Sequence, residues 1–135
     1  MKPSSKLKRK IILSVISGYD LDYEPITSLD TDENIDLAYE DIDKNFPSEI
    51  QEYQDEFRSG SVETNIDPEY SRHYESRSVA VEIDNEWIGW TYWYGGGKWG
   101  QPETIDWISD SYFLTCREEQ VMTTVRTFSL KEENT

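Results

Sequence analysis

The chain has 135 residues, and its 28 aspartate and glutamate residues outnumber 13 lysine and arginine residues, for a formal net charge of −15 at pH 7. This charge repels nucleic acids and anionic membranes, so we expect the partners to be basic proteins. Cys116 is the single cysteine, which excludes an intrachain disulfide and a cysteine-rich zinc site and favours a reducing cytoplasm. We expect one domain over residues 1–135.

The chain begins with a basic segment followed by a short apolar run. Residues 1–10 contain five lysine and arginine residues, and we predict that they form a flexible segment. The run IILSVIS at residues 11–17 is rich in β-branched side chains, which predicts a first strand. The run is far shorter than the ~20 residues of a membrane span, and no small-residue cleavage site follows it, so a signal peptide is not favoured.

Most of the negative charge lies in the middle of the chain. Residues 20–70 contain 17 acidic and two basic residues, yet their apolar residues recur at three- and four-residue steps, as in amphipathic helices. The pattern predicts helices over about residues 31–45 and 48–58. The apolar stripe of the first helix is formed by Ile35, Tyr39 and Ile42, and that of the second by Ile50, Tyr53 and Phe57.

The start of the first helix also has part of the spacing of a calcium loop. Carboxylate and amide side chains occupy positions one, three, five and seven of an EF-hand-like loop: Asp30, Asp32, Asn34 and Asp36. Position six, which requires glycine, is Ile35, and position twelve is Asp41 instead of glutamate. A capped helix explains these residues better, so we expect neither a metal nor a cofactor.

The second half of the chain has the alternation that is typical of strands. Residues 78–84 and 87–94 form a predicted hairpin around the sequence DNE, and a short helix is expected after Pro102. A second hairpin is predicted from residues 112–117 and 121–130. Together with the N-terminal run, this predicts an α+β fold with an antiparallel sheet of about five strands.

The aromatic stretch WIGWTYWYGGGKWG at residues 87–100 has several interpretations. Gly95, Gly97 and Gly100 match a dinucleotide-binding pattern, but an antiparallel setting does not fit that motif. Base stacking would need a positive groove, whereas a carbohydrate-binding module tolerates acidic flanks. Core packing explains most of the stretch, and we expect Trp87 and Trp93 in the core. The candidates for aromatic anchors at a protein interface are Trp90, Tyr92 and Trp99.

Catalytic residues are scarce. His73 is the only histidine, so a Ser-His-Asp site would depend on this one side chain, and its role stays open. Pairs of carboxylates are uninformative in a chain this acidic. We therefore expect that the protein is not an enzyme.

The acidic residues of the first predicted helix gather on one flank. Asp36 is four residues from both Asp32 and Glu40, and each such pair of like charges destabilises a helix by about 0.2–0.5 kcal/mol. Seven acids over roughly 20 Å approach the spacing of DNA phosphates, about one per 3.4 Å. The predicted partner-binding surface consists of Asp32, Glu33, Asp36, Glu40, Asp43, Glu49, Glu52, Asp55 and Glu56. The alternative is a solvated face that serves solubility.

In size and charge the chain resembles small acidic DNA-mimic proteins of phages and plasmids, which include anti-restriction proteins, anti-CRISPR proteins and uracil-glycosylase inhibitors. The resemblance implies an inhibitor that binds the nucleic-acid-binding surface of a host enzyme, with no direct binding of nucleic acid or membrane. An immunity protein that neutralises a basic toxin is the alternative, and a carbohydrate-binding module or small enzyme comes third. The oligomeric state stays open between monomer and homodimer.

Overall fold

A computed structural model describes residues 1–132, apart from the side chain of Trp99. The fold is α+β, as predicted. Three helices precede a four-stranded antiparallel sheet with the strand order β1-β2-β3-β4. The helices are α1 (Pro3–Gly18), α2 (Asp32–Asn45) and α3 (Pro47–Arg58), and the strands are β1 (Val62–Glu63), β2 (Glu75–Ile83), β3 (Glu86–Tyr94) and β4 (Tyr112–Leu114).

The prediction for the N-terminus is wrong. Residues 3–18 form a helix, so the expected strand does not form, and the residues expected to be flexible are its first half. Leu7, Ile11 and Val15 follow one another at four-residue steps and are almost completely buried. This helical period spans the boundary between the basic segment and the apolar run. The burial of these apolar side chains stabilises the helix by more than the local β-propensity of IILSVIS favours a strand.

Helices α2 and α3 confirm the two predicted acidic helices within a residue at each end. Thr31 caps α2, because its hydroxyl oxygen accepts a hydrogen bond from the Asn34 backbone N–H at 3.2 Å. Pro47 occupies the first position of α3, where its missing N–H carries no cost. Ile35, Ile42 and Ile50 are completely buried.

Strands β2 and β3 form the predicted aromatic hairpin. Ile83 pairs with Glu86, and Asp84 and Asn85 between them both have positive φ, as a tight two-residue hairpin turn requires. The sheet residues that face the helices include Val79, Ile88 and Trp90, which join α1, α2 and α3 in one apolar core.

The predicted C-terminal hairpin is wrong in its second arm. Residues 121–130 form no strand within the described chain, and the first arm is reduced to Tyr112–Leu114, paired with Trp87–Gly89 of β3. After Leu114 the chain borders a groove lined by Ile66, Ala80 and Trp87 instead of turning back along β4, so the second arm has no neighbouring strand within the described part of its own chain. The helix expected after Pro102 is one 3-10 turn, Pro102–Thr104.

None of the helices in residues 1–132 is both long and apolar enough to cross a membrane.

Candidate functional site

The nine acids predicted to bind a partner are mostly exposed to solvent. Asp32 and Glu49 are half-buried, and the other seven are exposed. Helix α2 carries six acidic residues and one lysine, and α3 carries four acidic residues and one arginine. The two helices therefore present most of the protein's excess negative charge.

Two of these acids are engaged by the basic N-terminal end of α1. The Lys8 Nζ lies 3.0 Å from the Asp36 Oδ1 and 5.4 Å from the centre of the Tyr39 ring. The Lys2 backbone N–H donates to the Asp32 Oδ1 at 3.0 Å, and this hydrogen bond, together with one from Ser5, holds the pKa of Asp32 below its ordinary value. Asp32 and Asp36 thus help to dock α2 on α1.

Two other cations of α1 fix the tip of the β2–β3 hairpin. The Arg9 guanidinium lies 2.7 Å from the Asp84 carboxylate, and the Lys6 ammonium is paired with Glu86. Each such pair contributes at most about 1 kcal/mol, but with Lys8 they engage three of the four basic residues of α1 within the molecule. Sequence reasoning missed this role because it assigned no helix here.

Glu52 of α3 lies near the opposite end of α1. The Tyr19 hydroxyl donates to the Glu52 carboxylate, and the Tyr19 ring meets Tyr53 edge-on with 5.9 Å between centroids. Eleven residues separate Lys8 from Tyr19, which is about 16 Å along a helix. The predicted surface consists of an α2 patch, formed by Asp32, Glu33, Asp36, Glu40 and Asp43, and an α3 patch, formed by Glu49, Glu52, Asp55 and Glu56.

Tyr39 links the α2 patch to the core. Its hydroxyl oxygen accepts a hydrogen bond from the Gln54 amide of α3. Burial raises the pKa of Tyr39 to about 12, and the negative charges of Asp43 and Asp106 act in the same direction, although the Gln54 hydrogen bond opposes them. Tyr39 is therefore neutral at all physiological pH values.

This shift predicts a loss of stability in alkali. Because the folded pKa lies above the ordinary value of 10.0, the contribution of Tyr39 is complete below about pH 10 and is lost as pH rises toward 12. Between about pH 9 and about pH 11.5, the Tyr39→Phe variant should lose about 2 kcal/mol less stability than the wild type. Urea denaturation at the two pH values measures this difference. An equal loss of stability in the wild type and the variant would contradict the raised pKa of Tyr39.

Of the three predicted aromatic anchors, Trp90, Tyr92 and Trp99, the structure describes the side chains of the first two. Trp90 is completely buried, with its ring 4.7 Å from that of Trp107 and its Nε1–H donating to the Arg58 carbonyl at 2.8 Å. The prediction of Trp90 as an anchor is therefore wrong. Tyr92 is half-buried against the core, and the side chain of Trp99 lies outside the described residues.

Trp87 and Trp93 were expected in the core and are half-buried. They lie on the sheet face opposite to Ile88 and Trp90, because successive side chains of a strand point to opposite faces. The helices cover the face of Ile88 and Trp90, which explains why Trp90, at the centre of β3, is the most buried of the three tryptophans.

A cluster of arginine and tyrosine side chains was missed. The Arg58 guanidinium lies 4.9 Å from the centre of the Tyr92 ring, and that of Arg77 lies 4.6 Å from the Tyr94 ring. The two tyrosine rings are stacked, 5.3 Å apart. The hairpin register, which pairs Arg77 with Tyr92, could have revealed this cluster. Arg77, Tyr92 and Tyr94 of this cluster line a shallow cavity of about 310 Å³ beside Gly60.

Three further sequence features are the calcium-loop spacing, the glycine run and His73. Asp32, Asn34 and Asp36 belong to the first turns of α2, and no group of three or more metal-ligating side chains occurs within residues 1–132. The glycine run leads from β3 into a single 3-10 turn, Gly97–Trp99, without the long helix of a dinucleotide site. His73 is exposed in the loop before β2.

Comparison of the chain with known proteins gives no significant similarity. No protein-family model matches it, and no curated protein and no solved structure is similar to it.

Proposed function

We propose that the protein is an acidic inhibitor that mimics DNA and occupies the basic nucleic-acid-binding surface of a host enzyme in the cytoplasm. Its targets would be defence enzymes of the CRISPR or restriction type. The observation that carries the proposal is a set of exposed carboxylates on α2 that make no ion pair with a cation of residues 1–132, namely Glu33, Glu40 and Asp43.

The distribution of the basic residues supports this proposal. Lys6, Lys8 and Arg9 of α1 bind Glu86, Asp36 and Asp84, so these cations act in docking α1 within the molecule. The outer side of α2 remains negative. Glu40 and Asp43 are three residues apart, so two like charges are neighbours on the helix, and a surface that keeps them there is suited to a basic partner.

An exposed apolar side chain within the α2 patch supports a protein partner. Leu37 is 49% exposed and lies on the same side of α2 as Glu33 and Glu40, which are four residues before it and three residues after it. Simple counterions gain nothing from an exposed leucine, whereas a protein surface can bury it. Leu37 would therefore add affinity that does not depend on charge.

Affinity capture from a lysate of the host tests the proposal. We expect the immobilised protein to retain a basic protein that binds nucleic acid, and Glu40→Lys on the bait to reduce its recovery, since reversing the charge places a cation against a basic surface. Capture of a basic toxin encoded beside the protein would support the immunity function instead. Recovery that is unchanged by Glu40→Lys would contradict a role for the α2 patch.

A further inference from the structure

The C-terminal segment, defined here as residues 120–131, exposes an unusual amount of apolar surface. Its five large apolar side chains are between 79% and 98% exposed, although the described chain has a well-packed core of its own. Isolated exposed apolar residues are common, but five within ten residues are not. The exposed side chains are Val121, Met122, Val125, Phe128 and Leu130.

The composition of the segment is that of a strand. Its sequence QVMTTVRTFSLK contains five valine and threonine residues and one phenylalanine, with no glycine or proline. β-Branched and aromatic residues favour extended backbone and pack well on a sheet. Nothing in the segment prevents strand formation, so what it lacks is a neighbouring strand.

A free sheet edge exists at β4. Within residues 1–132, β4 is the last strand of the sheet, and Tyr112–Leu114 pair only with β3. After Leu114 the chain does not turn back along β4. Residues 115–117 instead border a groove on the sheet face, which is lined by Ile66, Ala80 and Trp87. The outer backbone groups of β4 thus stay available to another strand.

Charge indicates what the segment binds. Residues 120–131 contain Arg126 and Lys131 and no acidic residue, so their formal charge is +2, and the remaining residues carry −17. A segment of this sign is repelled by the basic partner that we propose for α2 and attracted to the acidic remainder of this protein. Because its own chain leaves the segment exposed, the acidic surface that it can cover is that of another copy.

We propose that two copies of the chain exchange their C-terminal segments, and that each segment pairs as a strand with the free edge of β4 in the other copy. Strand exchange of this kind joins identical chains at low cost, because it uses a backbone edge that is already present. It adds a fifth strand to each sheet and covers the exposed apolar side chains.

Sedimentation and hydrogen exchange on the full chain test this proposal. We expect a species of twice 15.9 kDa at high micromolar concentration, with a few protected amides within residues 121–130. Dilution to the monomer should remove that protection. A chain that stays monomeric would overturn the proposal, as would protection that persists in the monomer, since the segment would then pair with its own β4.

A pair of matched variants locates the contact. Phe128→Asp should weaken self-association by roughly 100-fold, because dimer formation would bury a charge without a partner. Tyr70→Asp changes a similarly exposed aromatic residue in a loop and should leave self-association unchanged. Helical circular dichroism should be the same in both variants. Equal weakening by both, or by neither, would overturn the proposal.

Discussion

Replacing Trp90 with alanine should lower the free energy of unfolding by about 3–5 kcal/mol, as expected for a large buried aromatic residue. The substitution removes the packing with Trp107 and the hydrogen bond to the Arg58 carbonyl, which ties the end of α3 to β3. This loss is a large fraction of the stability of a small domain. Thermal and urea denaturation followed by circular dichroism would measure it.

Two controls separate core packing from surface effects. Tyr70→Ala, at an aromatic residue that is 90% exposed, should change stability by less than about 0.5 kcal/mol. Trp90→Phe keeps an apolar ring but loses the donor, and should fall between the wild type and Trp90→Ala. A Trp90→Ala variant with wild-type stability would show that Trp90 is not a core residue.

Neutralising the three exposed acids of α2 that make no ion pair should weaken partner binding by about 10- to 100-fold. The variant combines Glu33→Gln, Glu40→Gln and Asp43→Asn, which are exposed and make no ion pair within residues 1–132. Most of the loss should appear in the association rate, because charges on an exposed surface mainly steer the encounter. Surface plasmon resonance at two salt concentrations would separate the rates.

A charge-matched variant controls for net charge alone. Glu24→Gln, Asp67→Asn and Glu69→Gln remove three exposed acids from loops and should weaken binding much less. Both variants should keep stability within about 1 kcal/mol of the wild type, because exposed charges contribute little to folding. Equal weakening by the two variants would mean that the partner responds to total charge and not to α2.

The sequence predicts α2, α3 and the β2–β3 hairpin well because local and tertiary preferences agree there. Thr31 and Pro47 mark helix starts, and Asp84 and Asn85 suit a tight turn. Helix α1 was missed because its β-branched run has a local preference opposite to its burial pattern. The four-residue spacing from Leu7 through Ile11 to Val15 contained the signal, but the basic residues between them suggested a flexible segment.

The candidate site was only partly predictable for a related reason. The helical wheel predicts which side of α2 faces solvent, and Glu33, Glu40 and Asp43 are exposed there. The pairing of Asp36 with Lys8 depends on α1 lying against α2, which no local pattern reveals. The burial of Trp90 likewise depends on Trp107, a residue 17 positions later that folds over β3.

Competition between this protein and duplex DNA for the captured partner tests the central claim most directly. Fluorescence anisotropy of labelled DNA would be measured with the purified partner at increasing concentrations of the protein. If the α2 carboxylates stand in for phosphates, the apparent dissociation constant for DNA should rise in proportion to the protein concentration, and no ternary complex should form. A stable complex of partner, DNA and this protein, with unchanged DNA affinity, would contradict DNA mimicry.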